Sequence, residues 1–245
     1  MAETSADAQT ASRGDALDLQ RGLTFFTEDP DWVPKMVVGS FFAVLSVFFL
    51  VGAVFMMGYA MRLARLRLAG QPGLPEWDAL PEMFLDGAKG TALYLGHALP
   101  LIVVVLFLAL ALGGGTFLAS DGTVAPEFQL FVLLGLAAGF LIFFLVMSVV
   151  LLYVPAAFVR LIQTDQLGEA FDPMDNLHFI RENTSGYLLA LLILLAAVFI
   201  TPIGFAFFCI GIFPAVFWSH CVMGHSLGEL ARISRPLPDD PASGA

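Results

Sequence analysis

Four stretches of this chain, residues 36–61, 90–120, 128–159 and 183–228, contain no Asp, Glu, Lys or Arg at all. Together they hold 135 of the 245 residues. A membrane-spanning helix needs about 20 mainly apolar residues. The first three stretches are therefore long enough for one crossing each, and the 46-residue fourth for two. Charged residues make up only 13% of the chain, against about 25% in a soluble domain. An ordinary soluble fold is excluded. The expected architecture is an all-α integral membrane protein, a bundle of about five transmembrane helices with short amphipathic helices at the interface.

The remaining bulk properties narrow the class further. A net charge of −10 argues against nucleic acid, which demands clustered Lys and Arg. No basic segment followed by an apolar run occurs in Met1–Gln20, so no cleavable signal peptide is expected. The expected location is a bacterial cytoplasmic or inner membrane, as a multi-pass protein. Cys209 and Cys221, if on one helix, lie about 18 Å apart along its axis, too far for a disulfide. They read as small buried hydrophobes.

Residues 1–14 and 236–245 are small, polar or proline-rich and read as disordered tails around one membrane domain over 15–235. Its crossings are expected at about 36–61, 91–112, 128–158, 184–200 and 205–230. Ala16, Leu19, Leu23 and Phe26 recur at helical spacing ahead of Asp29-Pro30-Asp31, which suggests an interfacial helix. Trp32 and Lys35 then stand where an aromatic belt residue and a snorkelling cation belong, and Arg62, Arg65 and Arg67 close the first apolar stretch. In the following loop, Asp78 can cap a short helix that places Leu80, Met83, Phe84 and Gly87 on one face. Asp78, Glu82, Asp86 and Lys89 fall on the other face, so this helix is expected to lie along the membrane surface. A similar layout recurs over 36–112 and 128–200, with Arg62 answering Arg160 and Tyr94 answering Tyr187.

Basic residues in short loops set orientation. The 62–91 and 160–184 loops and the C-terminal tail carry eight Lys and Arg, while 113–127 and 201–204 carry none. The basic loops are expected on the cytoplasmic side. Five crossings then leave the N-terminus outside with Arg13, Arg21 and Lys35. A first stretch that dips in and returns would instead gather all eleven on one side. The absence of proline in 36–61, and the unpaired backbone a lipid-facing bend would leave, favour five crossings.

Several of these residues carry a likeness. Phe26-Thr27-Glu28-Asp29-Pro30-Asp31-Trp32-Val33-Pro34-Lys35, then Gly58-Tyr59 before an arginine, Leu74-Pro75-Glu76-Trp77-Asp78 and Phe84-Leu85-Asp86-Gly87 resemble an uncharacterised bacterial and archaeal membrane family, domain of unknown function 4013. The likeness runs from about residue 20 to 230. Pro34 departs from the family pattern, where a charged or aliphatic residue is more frequent. The resemblance implies a multi-pass fold and no particular chemistry.

Sites for chemistry are sparse. Cys221, His225 and Glu229 are spaced four apart on one helical face, and polar groups inside a membrane helix are functional suspects. They lack zinc-motif spacing and a second ligand cluster. His97 stands alone, and Ser219 and His220 are adjacent and so diverge on a helix. No catalytic residue, cofactor or metal site is expected. Gly135-x-x-x-Gly139 and Gly224-x-x-x-Gly228 permit close helix approach, either within the bundle or toward a second copy or partner subunit. Trp77, Asp78, Glu82, Asp86 and Lys89 form the most individual feature, either a surface anchor or a docking face for a partner or lipid headgroups. The chain reads as a non-catalytic membrane-organising, lipid-interacting or accessory protein. The competing reading is a transporter or channel component for a small or amphiphilic solute, with helices broken at Pro100, Pro155, Pro202 or Pro214.

Overall fold

A computed structural model describes residues 17–120, 126–206 and 210–234, with side chains described outside 111–129. The tails expected over 1–14 and 236–245, the loop at 121–125 and Cys209 lie outside the described residues. The chain is an all-α membrane protein, and no strand occurs among the described residues. Its helices are α1 (Leu19–Thr24), α2 (Trp32–Phe48), α3 (Leu50–Leu68), α4 (Leu80–Ser120), α5 (Pro126–Thr164), α6 (Leu167–Ala170), α7 (Pro173–Glu182), α8 (Thr184–Ile200) and α9 (Ile212–Ile233). Short 3-10 turns follow α1 at Phe25–Glu28 and α8 at Thr201–Ala206.

Three stretches are long and apolar enough to cross a membrane: Leu80–Leu110, Leu130–Thr164 and Thr184–Ala206. A fourth qualifies only if Leu19–Glu28 and Trp32–Phe48, bent by 102° at Asp29–Asp31, count as one. Neither the first expected crossing, 36–61, nor α9, expected as the crossing over 205–230, is among these spans, and for the first the cause is local. Met36–Met61 is not one helix: Phe49 adopts an extended conformation (φ −140°, ψ 126°) that ends α2 and starts α3. No proline is needed. Phe49 N–H donates to Leu45 O at 2.8 Å and its carbonyl accepts from Gly52 N–H at 3.1 Å, so the break leaves neither group unpaired. At Phe49 itself the objection to a bend in lipid is therefore met. Gly52 then lets the chain fold back, because a Cβ there would collide with the Phe42 carbonyl and the Ser46 amide. Across the hairpin the Phe42 and Phe55 rings sit 4.7 Å apart.

The helix expected to lie along the surface after Asp78 is likewise absent as a separate element. Residues 80–120 form one helix, with Gly87 and Gly90 inside it. Gly58 and Gly87 explain the continuity, since each faces backbone of the other helix: a Cβ on Gly58 would strike Met83 O, and one on Gly87 would strike Val54 O. The first turns of α4 are thus packed along α3.

The chain divides into two compact units, residues 1–93 with 155–245, and residues 94–154. In the first, α9 lies against α3, α2 and α8. Gly224 and Gly228 let it approach so closely that a Cβ would strike the Ala60 and Ala64 carbonyls, and Gly39 sits beneath the Phe217 ring. Phe25, Tyr59, Leu63, Met83, Ile193, Phe217, Cys221 and Val222 are buried in one core. Gly22 and Phe25 form the buried face of α1 and its 3-10 extension, while Leu19, expected on that face, is exposed. In the second unit, Leu108 meets Gly139 and the His97 ring lies 5.3 Å from that of Tyr153. Most of its other apolar side chains are exposed, among them Val103, Phe107, Leu110, Phe131, Leu141 and Phe144.

Candidate functional site

The residues singled out in the sequence converge on the segment that follows α3. Ala69 caps the helix and Gly70, at φ +68°, takes the left-handed conformation. Gly70 N–H donates to Arg67 O and Gln71 N–H to Leu66 O, the paired bonds of a Schellman end. Gly73, at φ +83°, turns the chain again. The segment then runs inward rather than out over the surface, and four side chains hold its backbone. Arg67 donates to the carbonyls of Gln71 and Gly73. Asp29 accepts from Leu74 N–H at 2.6 Å, Lys35 Nζ donates to Leu74 O at 3.1 Å, and Tyr59 Oη donates to Pro75 O at 3.0 Å.

Two buried polar clusters result. In one, Lys35 Nζ lies 3.1 Å from Asp29 Oδ2 and 2.6 Å from Glu76 Oε1. Burial pushes the Asp29 carboxyl upward, but donation from Leu74 N–H, Lys35 and Asp31 N–H outweighs it, and the carboxyl titrates below its ordinary range. In the other, Arg67 Nε donates to His225 Nδ1 at 2.8 Å, which requires that nitrogen to be unprotonated. The His225 ring stacks on Phe25 at 4.0 Å, and the Arg67 guanidinium lies 5.6 Å from the same Phe25 ring. Arg67 is therefore a buried cation held by neutral acceptors and an aromatic face.

Trp77 joins these clusters instead of sitting free at headgroup level. Its indole N–H donates to Lys35 O at 3.2 Å, and its rings stack on Tyr59 at 4.5 Å and on Phe42 at 5.0 Å. Trp32 packs edge-on against Phe26. Lys35, expected as a snorkelling cation, and Arg67, expected as an interface anchor closing the first apolar stretch, are buried because the segment supplies their acceptors. Arg65 instead bridges Asp86 at 2.6 Å and Asp165 at 2.7 Å, and Lys89 reaches Asp165 at 2.9 Å. Asp165 caps α5 in the left-handed region (φ 56°), and the adjacent Lys89 holds its carboxyl below the usual range. The four-residue charged face expected on α4 is therefore divided. Asp86 and Lys89 are spent on these internal ion pairs, whereas Asp78 and Glu82 stay exposed. Arg62 touches Asp78 only at 3.4 Å.

A family model described as "Protein of unknown function (DUF4013)" matches residues 41–216. The chain belongs to this family. No curated protein and no solved structure matches it. The segments that carried the likeness in the sequence meet in one place: Asp29 and Lys35 bond Leu74 and Glu76, Tyr59 bonds Pro75 and stacks on Trp77, and Gly58 and Gly87 seat α4 on α3. In this chain those segments close the α2–α3 hairpin.

The histidine, cysteine and glutamate stripe on α9 is dispersed by its partners. Cys221 is buried in the core, His225 is bound by Arg67, and Glu229 pairs with Arg232 at 2.9 Å. Among the described residues no three His, Cys, Asp or Glu side chains cluster as a metal site. His220 bonds Val216 O, and His178 pairs with Glu182. Gly224 and Gly228 face α3; Gly139 faces Leu108, and Gly135 faces open space. Tyr59, Asp29 and Phe25 escaped the sequence reading as site residues. The only hint of them was the presence of Asp29 and Tyr59 inside the family-like segments.

Proposed function

We propose that this chain is a non-catalytic, lipid-interacting membrane protein whose larger unit enters the bilayer from one face as two helical hairpins, α2–α3 and α8–α9. One observation supports the reading above others. Every charged side chain described belongs to residues 18–89 or 160–232, around the open ends of those hairpins, while their turns are apolar. Phe48, Phe49 and Leu50 are 73%, 60% and 67% exposed, and Ile203, Phe205 and Ile210 are exposed at the other turn. Such side chains are unfavourable in water by roughly 1.5–3 kcal/mol each, and hydrocarbon removes that penalty.

For α2–α3, lengths agree with insertion that stops inside the membrane. Met36–Phe48 and Leu50–Met61 each extend about 20 Å as helix, less than the roughly 30 Å hydrocarbon core. On this reading all nine described Lys and Arg lie on one side, as the positive-inside tendency favours. The N-terminal segment then shares the side of the 69–79 segment, in place of the outside position that five crossings would give it.

Single cysteines test this in a chain whose Cys209 and Cys221 are replaced by alanine. Cysteines at Thr27 and Gln71 are expected to behave alike toward an impermeant thiol reagent added to intact cells, both protected until the membrane is opened. Labelling of the Thr27 site alone in intact cells would overturn the one-sided hairpin.

A further inference from the structure

Outside the clusters that close the hairpin, the described residues of the larger unit form an open apolar groove. Phe55 of α3 and Leu80, Pro81, Phe84 and Leu85 of α4 line it, with a volume of about 480 Å³. Its walls present almost wholly apolar surface, and that size lies in the range of small-molecule pockets, about 300–1,000 Å³. Its polar end is set by helix geometry. Arg62 lies seven residues after Phe55, on the same face of α3 and about 10 Å along it. Asp78 lies in the segment just before α4, two residues ahead of the lining Leu80, and its carboxylate is 3.4 Å from Arg62. The groove therefore ends at Arg62 and Asp78, one cation and one carboxylate.

These two groups are held only loosely, by each other. Arg65, Arg67 and Lys35 are all held by short internal bonds, as are Asp29 and Asp86. The Arg62–Asp78 contact is long, at 3.4 Å, and the Asp78 side chain is 74% exposed. Glu76 is answered by Lys35, but Glu82 is exposed one helical turn further on, so two carboxylates, Asp78 and Glu82, stand against the single arginine Arg62. That balance disfavours a purely anionic headgroup and suits a zwitterion.

We propose that the groove takes one acyl chain of an ethanolamine phospholipid, its phosphate on Arg62 and its primary ammonium on Asp78. The inference rests on the membrane reading above and names the lipid class it would select. Arg62 offers a planar fork of N–H donors to phosphate oxygens. Asp78 accepts hydrogen bonds from a primary ammonium, which a choline headgroup cannot donate and a glycerol headgroup replaces with neutral hydroxyls. The apolar walls distinguish a lipid from free phosphoethanolamine, which has no chain to bury.

The test uses the full-length protein, delipidated in mild detergent and titrated with ethanolamine, choline and glycerol phospholipids of identical acyl chains. Bound lipid is counted by native mass spectrometry. Wild type is expected to bind the ethanolamine lipid about tenfold more tightly than either other, the worth of one charge-assisted hydrogen bond. Asp78→Asn should abolish the preference, and Arg62→Gln should weaken all three. Equal affinity for the three headgroups in wild type, or a preference that survives Asp78→Asn, overturns the site. Because the headgroup comparison is made on wild type, it stands even if a variant misfolds. Flotation with vesicles separates the two claims: a chain that floats but shows no headgroup preference keeps the membrane reading and loses this one.

Discussion

Residues 17–93 and 155–234 bury a shared apolar core, whereas the apolar side chains described in residues 94–154 are mostly exposed. The first region buries Tyr59, Phe158, Phe179, Phe217 and Met61, places seven glycines (Gly39, Gly52, Gly58, Gly87, Gly204, Gly224 and Gly228) against neighbouring backbone or rings, and pairs its buried Lys35 and Asp29. In the second, Leu108 and Val154 are the buried apolar side chains among those described, and no described side chain is charged. Both regions are helical and apolar, yet only one is specified by its own side chains. The helices of the other are satisfied by their internal backbone bonds and by a solvent of hydrocarbon, which lacks the drive that buries side chains in water. The same substitution should therefore carry different costs in the two regions.

Glycine gives the largest contrast. Gly228→Leu forces α9 away from the Ala64 backbone and Arg67. Overpacking against backbone that cannot yield is expected to cost roughly 3 kcal/mol or more, read as loss of a cooperative thermal transition in detergent. Gly135→Leu, where a Cβ meets nothing within 4 Å, should stay within about 0.5 kcal/mol. Equal losses would erase the distinction between the regions.

Arg67→Ala comes next. It strands the Nδ1 of His225 and the carbonyls of Gln71 and Gly73, which the guanidinium now satisfies. Each buried group left unpaired costs about 1–3 kcal/mol, so a drop of roughly 3 kcal/mol is expected in thermal unfolding. Arg67→Lys should recover little, because an ammonium lacks the fork that reaches three acceptors.

Asp29→Ala should cost about 2 kcal/mol by releasing Leu74, Lys35 and Asp31. Its acid dependence has a definite sign. The folded carboxyl titrates below its ordinary value of 3.8, so its contribution is complete above that value and is lost as pH falls through the folded pKa. The melting temperature of wild type should fall more steeply in that acid window than that of Asp29→Asn. Parallel curves would show that the cluster contributes no linked stability. The smallest effect is expected from Leu106→Ala in the second region, within about 0.5 kcal/mol by thermal unfolding, since that side chain is 58% exposed.

The regions also differ in how legible they were. Apolar length and missing charge were enough to identify α4, α5 and α8 as candidate spans, because these helices are written in composition. The break at Phe49 was not, because it uses neither proline nor a polar turn: one extended residue keeps its hydrogen bonds, and Gly52, three residues on, supplies the clearance. Trp77 and Lys35 looked like interface anchors because residue type and position are all that such a reading uses. Their burial depends on acceptors 39 and 42 residues away in sequence, which no local pattern displays. Asp86 and Lys89 were visible as a charged face, but their partners Arg65 and Asp165 lie on other helices.

The central claim is that the α2–α3 turn ends within hydrocarbon. A nitroxide at Phe49, in the cysteine-free chain reconstituted in vesicles, measures this through its collisions with dissolved oxygen and with a water-soluble nickel complex. High oxygen accessibility with little nickel accessibility, against the reverse for a nitroxide at Gln71, is the expected pair of results. Nickel accessibility at Phe49 as high as at Gln71 would contradict the account.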